Sequence, residues 1–199
     1  MGLPQKLALA TKNPGKIREI LEICADWPVS WLTAEDADWP DIAETGETYR
    51  ENALLKAMEV ARVLGVPAVA DDSGIEVDSL GGAPGPRSAR FAGEHASDSE
   101  NLSLLLARVA DVPDGQRTAR YRCVAACAWP EGRAIDVEET CEGRLVLEPR
   151  GSGGFGYDPA FVPVGYAHTM AELSPEEKNR ISHRGKALRA LGDALRNEA

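Results

Sequence analysis

Residues 53–74 read "ALLKAMEVARVLGVPAVADDSG". Ala53, Leu54, Ala57, Val60, Ala61 and Leu64 recur at the three-and-four spacing of a single helix face, in a helix expected over residues 47–64. Gly65 supplies its terminator, and the apolar run 66–71 that follows has the length of a buried strand. Strand and helix signals alternate from the first residues onward, so the chain reads as α/β. The run then closes on two adjacent carboxylates, Asp71 and Asp72, followed by Ser73 and Gly74. Adjacent anions repel, and a strand end gives them no structural duty. A cation, or a proton waiting to be moved, gives them one.

Upstream, residues 6–11 form a short apolar run with strand character, and 13–16 a turn. Ile17, Ile20, Leu21 and Cys24 continue at helical spacing. A second strand is expected at 29–32, and an acidic loop without periodicity at 33–46. Downstream, residues 75–80 read as a further strand and 81–93 as a loop rich in glycine and proline. Ser97 and Glu100 make a capping box ahead of a helix, and 117–129 and 134–147 are two long strands joined near Gly132. A glycine-rich loop occupies 149–159. Ser174 and Pro175 start a helix, and a last amphipathic helix begins near Ser182.

The chain has 199 residues, enough for one domain with a substantial core. No apolar run reaches the roughly 20 residues that span a bilayer, and the first six residues lack the regions of a signal peptide, so a cytoplasmic location is expected. Cys24, Cys123, Cys127 and Cys141 form no metal-binding spacing and are expected as buried thiols, the middle two on one strand face. The formal net charge of −10 disfavours binding to nucleic acid or to an anionic membrane. An anionic ligand would therefore need a local basic cluster, a metal ion or both.

Four stretches could meet that need. Thr11-Lys12-Asn13-Pro14-Gly15-Lys16 leads from a strand through a turn into a helix, whose first N–H groups suit phosphate oxygens. Glu44, Glu47 and Glu51 surround the start of the next helix, and Asp71 and Asp72 add carboxylates; magnesium uses one or two such groups together with substrate phosphates. Glu47 fits a simple helix-dipole role better. In "GSGGFGYDP", residues 151–159, Phe155 and Tyr157 offer rings on which a base could stack. Lys178, Asn179, Arg180, His183 and Arg184 form the densest cationic patch, with donors suited to a carbonyl-bearing base edge or a phosphate. Lys178 and His183 converge only if the helix breaks between them, as Ser182 suggests.

Together these stretches resemble the inosine triphosphate pyrophosphatase family. The signatures are "TKNPGK" (11–16), "ETGETYRENALLKA" (44–57), "ADDSGIEVDSLGGAPGPRSARFAG" (70–93), "GGFGYDPAF" (153–161) and "AELSPEEKNRISHRGKAL" (171–188), in the family's order. The resemblance implies a single domain, 1–199, of two lobes with a long central mixed sheet flanked by helices and a substrate cleft between the lobes, usually in a homodimer. It implies magnesium-dependent (Mg2+) hydrolysis of inosine, deoxyinosine and xanthosine triphosphates to the monophosphate and pyrophosphate, which cleanses the nucleotide pool.

By the same resemblance Thr11, Lys12, Asn13, Pro14, Gly15 and Lys16 hold the triphosphate, and Lys56 reaches the same cleft. Glu44 and Asp72 serve the metal, Asp72 also accepts the proton of the attacking water, and Ser73 contacts substrate. Phe155 stacks on the purine, Gly156, Tyr157 and Asp158 shape its pocket, and Lys178, His183 and Arg184 read the base edge. Two other readings compete: a related pyrophosphatase for modified pyrimidines, and a non-catalytic nucleotide sensor. The "FGYD" and "SHR" segments weigh against the first, and the intact Asp72 and Glu44 against the second.

Overall fold

The computed structural model describes residues 3–197. Its elements run β1 (Lys6–Leu9), α1 (Pro14–Ile23), β2 (Ser30–Leu32), α2 (Tyr49–Leu64), β3 (Ala68–Val77), α3 (Asp98–Arg108), β4 (Thr118–Ala128), β5 (Ala134–Leu145), β6 (Phe161–Pro163), α4 (Pro175–Ile181) and α5 (His183–Asn197). Among the described residues the strands form one six-stranded sheet in the order β2-β1-β3-β4-β5-β6. β1 pairs in parallel with both β2 and β3, whereas β5 and β6 pair antiparallel, so the sheet is mixed and flanked by helices. The alternation of strand and helix signals is thus realised as an α/β fold.

The chain divides into two compact units, the first comprising residues 1–72, 123–139 and 184–199, the second 73–122 and 140–183. The first unit has a core on each face of its strands. Leu7, Leu9, Val69, Cys123, Ala125 and Cys127 share one core with Ile20 and Cys24 of α1 and with Leu188, Leu191 and Leu195 of α5. Ala8, Ala10, Ala68, Ala70, Val124, Ala126 and Ala128 share the other with Ala53, Ala57, Val60 and Ala61 of α2. The strands alternate with period two, and in β1 and β3 leucine and valine take one face and alanine the other. Alanine against alanine lets α2 lie close to the sheet, which brings any polar residue on that helix face to the strands. In the second unit Ile75, Val77, Leu105, Tyr121, Leu145, Tyr157 and Phe161 form a separate core.

Several boundaries differ from the sequence reading, among them residues 13–16, expected as a turn but helical from Pro14 because Asn13 caps α1. Residues 66–71 and 75–80 are not two strands: β3 runs unbroken from Ala68 to Val77 and ends in a short 3-10 turn, Asp78–Leu80. Asp71 and Asp72 therefore sit in the middle of a strand and not at its carboxyl end. The reason is tertiary pairing, which keeps Ser73 and Gly74 extended although their local propensities favour a turn. The loop expected at 81–93 holds a 3-10 helix, Gly85–Arg90, and the segment after the glycine-rich loop contains the short strand β6. The helix expected from residue 47 starts at Tyr49, because Thr48 and Glu51 form the capping box. All four cysteines are buried free thiols, and Cys123 and Cys127 share one core. No helix among the described residues is long and apolar enough to cross a membrane.

Candidate active site

In the first unit, α1 begins directly beyond β1. Asn13 is its N-cap, accepting the Lys16 N–H at 3.1 Å, and Pro14 fills the first helical position, where a missing N–H costs nothing. The Thr11 hydroxyl accepts the Asn13 N–H at 3.2 Å, which holds the turn, while Lys12 points outward to Asp41 at 2.8 Å. Gly15 lies within the first turn, so Lys16 leaves the helix start and reaches the Asp71 carboxylate at 3.2 Å.

The adjacent aspartates face opposite sides of the sheet. Asp71 shares the face of Val69, toward α1 and α5; there Arg184 Nε donates to it at 3.1 Å and Arg184 also pairs with Glu19 of α1. Burial alone would raise the Asp71 carboxyl, but Lys16 and Arg184 hold it far below the usual carboxylate range. The Cys123 thiol beside it is pushed up, by burial first and then by that same charge. Asp72 shares the face of Ala70, toward α2. Asn52 Nδ2 donates to its Oδ2 at 3.3 Å, and Lys56 Nζ lies 3.1 Å from its Oδ1 and 2.7 Å from Glu44 Oε1. Asn52 and Lys56 are one helical turn apart and so share a face.

Asp72 is 4% exposed. Burial raises its carboxyl above the ordinary value; Lys56 and Lys16 oppose that shift, and Glu44 adds to it. Burial would lower the Lys56 ammonium, but Asp72 and Glu44 outweigh it and hold the group charged. Glu44 and Asp72 present hard oxygen atoms converging on one cation, the donor set that suits a small divalent ion. Among the described residues no three His, Cys, Asp or Glu side chains are grouped to cage a metal unaided. A divalent ion held by these two carboxylates would take its other ligands from substrate oxygens and water.

In the second unit, Asp158 organises the glycine-rich loop. Its Oδ2 accepts the Phe155 N–H at 2.9 Å and the Lys178 ammonium at 2.6 Å, and its Oδ1 accepts the Tyr121 hydroxyl at 3.2 Å. Lys178 Nζ also lies 5.0 Å from the centre of the Phe155 ring. Gly156 donates to Asp98 at the start of α3 at 2.9 Å. Gly154 has a φ of +70°, and a Cβ there would overlap the Asp158 carboxylate, so only glycine fits. Phe155 stays partly exposed, but Tyr157 is drawn into the core with its hydroxyl on the Ser88 carbonyl at 2.7 Å.

Ser182 ends α4 in an extended conformation, φ −64° and ψ 154°, and this break lets both Lys178 and His183 turn inward. His183 stacks on Tyr121, with ring centres 4.5 Å apart and planes 7° from parallel. Ser73 is half-buried in β3. The expected residues thus fall into two sets: Thr11, Asn13, Lys16, Glu44, Lys56, Asp72 and Arg184 in the first unit, and Ser73, Phe155, Gly156, Tyr157, Asp158, Lys178 and His183 in the second. Arg184 is joined to carboxylates in the first set, and the Lys12 ammonium turns away to Asp41.

Glu19, Asn52 and Tyr121 escaped the sequence reading. Asn52 carried a signal, being a polar residue on the buried stripe of α2 beside Ala53. Glu19 and Tyr121 carried none, because their partners are remote in sequence.

Fold and site define the class as an α/β protein with a strand-turn-helix lysine loop, a lysine-bridged carboxylate pair, and an aromatic and cationic loop cluster. The chain belongs to the Ham1 family, whose model matches residues 7–194. It is 53% identical to the dITP/XTP pyrophosphatase of Streptomyces avermitilis over 194 residues, 96% of this chain and 97% of that one. Among solved structures it resembles a HAM1 protein from Coxiella burnetii, with 39% identity, a TM-score of 0.87, and 98% and 100% of the two chains covered. It also resembles a nucleoside-triphosphatase / dITP/XTP pyrophosphatase from Mycobacterium abscessus, with 43% identity, a TM-score of 0.75, and 94% and 98% covered.

Proposed function

We propose that the protein hydrolyses non-standard purine nucleoside triphosphates (ITP, dITP and XTP) to the monophosphate and pyrophosphate, with magnesium as its cofactor. The observation that carries this reading is the buried Asp72, raised above the ordinary carboxylate range and set opposite Glu44 across the Lys56 ammonium. A carboxylate with a raised pKa is a better proton acceptor near neutral pH than an ordinary one.

Thr11, Asn13, Gly15, Lys16 and Lys56 bind the phosphates through N–H groups, hydroxyl and ammonium. Asp72 and Glu44 hold the metal, which when bound neutralises phosphoryl oxygens and favours ionisation of water. Asp72 takes a proton from the attacking water. The water oxygen bonds to the α-phosphorus, the bond to the α,β-bridging oxygen breaks, and pyrophosphate leaves with that electron pair.

Phe155 stacks on the purine, with Gly156, Tyr157 and Asp158 shaping its surroundings and Ser73 touching substrate. Lys178 and His183 donate to a 6-keto oxygen, where adenine would present an amino group instead. Arg184, anchored on Asp71 and Glu19, also serves the base edge in this reading. A homodimer and a cytoplasmic setting belong to the same reading.

Incubation with inosine triphosphate and magnesium, with pyrophosphate and orthophosphate assayed separately, tests it. Pyrophosphate in equal amount to the monophosphate is expected. Orthophosphate alone, or binding without turnover, would remove the assignment.

A further inference from the structure

We infer that Tyr121 is a positioning residue that sets purine selectivity, by fixing the His183 ring and the Asp158–Lys178 pair as one rigid body. The inference rests on the reading that Lys178 and His183 face the base. All the groups concerned lie in the second unit. Tyr121 comes from the first half of β4, 7% exposed, and its ring lies flat on His183 at 4.5 Å. A second ring, Phe161, packs against it at 59° with centres 4.7 Å apart and helps hold the phenol in place.

The hydroxyl at the ring's far end donates to Asp158 Oδ1, while Oδ2 of the same carboxylate accepts from Lys178 and from the Phe155 N–H. One side chain thus orients the imidazole by its face and the carboxylate by its tip. The imidazole plane decides which way its N–H points, and the carboxylate decides where the ammonium and the stacking loop sit. Both would need to be fixed before a base arrives if a 6-keto group is to be told from a 6-amino group.

A residue serving only the core would cost stability when replaced and would leave discrimination alone. Tyr121→Met fills the gap with an adaptable side chain but removes both ring and hydroxyl. Tyr121→Phe keeps the stack and removes only the hydroxyl. The probes are inosine and adenosine triphosphates at saturating magnesium, with kcat and KM measured for each, melting curves recorded, and His183→Ala run in parallel.

Tyr121→Met is expected to lower the ratio of kcat/KM values for the two substrates about tenfold, mainly through KM for the inosine nucleotide. Tyr121→Phe should lower the ratio by a smaller factor, about threefold, since the stack on His183 survives while the hydroxyl's hold on Asp158 is lost. If His183→Ala compresses the ratio but Tyr121→Met does not, Tyr121 has no part in selectivity. Equal losses of kcat for the two substrates in both Tyr121 variants would exclude that part as well. An unchanged ratio in His183→Ala overturns the base reading itself, and the role of Tyr121 with it.

Discussion

Replacing Asp72 with asparagine separates proton acceptance from shape, and the surroundings of this residue allow the cost to be worked out. The Asn52 side chain is oriented by the Gly46 N–H, which donates to its Oδ1 at 2.8 Å. Its Nδ2 must therefore face position 72, and Lys56 presents an ammonium to the other oxygen. A carboxylate accepts from both. An amide has one acceptor, so Asp72→Asn sets an N–H against either Asn52 or Lys56 whichever way it is turned. A buried donor without an acceptor costs about 1–3 kcal/mol, and the melting temperature should fall accordingly.

The effect on rate is larger and distinct, since a positioned general base contributes about 10²–10⁴-fold. At saturating magnesium and below the melting transition, kcat should drop by that factor while calorimetry still detects nucleotide binding. Asn52→Ala is the matched control: it removes one hydrogen bond from Asp72 but leaves the carboxylate. It should lose about 1 kcal/mol of stability and keep kcat within about tenfold. More than a tenth of wild-type kcat in Asp72→Asn would refute the base role. So would an equal loss in Asn52→Ala, because geometry alone would then explain the effect.

The acid limb of kcat/KM should lie above the ordinary aspartate value of about 3.9, since Asp72 must be deprotonated to act and burial raises it. Glu44→Gln removes a repelling charge and should move the limb to lower pH, whereas Lys56→Met removes an attracting one and should move it higher; shifts in the same direction would contradict the assignment. Asp71→Asn should destabilise the protein by about 3–5 kcal/mol at pH 7, because it strips the buried Arg184 and Lys16 of a counter-charge. The folded-state value of Asp71 lies below its unfolded one, so its contribution is present above about pH 4 and is lost as pH falls. The difference between wild type and variant in denaturant titrations should therefore be constant above about pH 5 and narrow by about 1 kcal/mol at pH 3, and a constant difference down to pH 3 would exclude this account. Gly154→Ala should raise KM for inosine triphosphate about tenfold with a smaller change in kcat, since the new Cβ displaces Asp158 and lies 3.0 Å from Lys178 Nζ; an unchanged KM would separate that loop from substrate binding.

The sequence by itself determined what local chemistry controls. The periodicity of 47–64 and the alternation of apolar runs required an α/β fold, whereas residues 13–16, read as a turn, are the N-cap and first residues of α1, a start that the capping chemistry of Asn13-Pro14 carried unread. Ser182 was legible as the break between α4 and α5. Asn52 and Lys56, spaced four apart beside Ala53 on a buried stripe, carried a signal of a polar edge that went unread, and Lys56 was singled out only through the family resemblance.

The adjacent aspartates mark the boundary of that reading. As a sequence they look like one pair of anions at a strand end. Only the sheet keeps β3 extended through Ser73 and Gly74, and an extended strand sends neighbouring side chains to opposite faces. Only the tertiary structure brings Arg184, 113 residues away, to Asp71, and sets Asn52 and Lys56 of α2 against Asp72. Periodicity and capping are properties of a few consecutive residues, whereas neutralising a buried charge depends on partners that the chain supplies from far away. The carboxylates differ in fate for that reason: Asp71 is locked as an anion between two cations, and burial raises Asp72 above its ordinary value despite the Lys56 ammonium beside it.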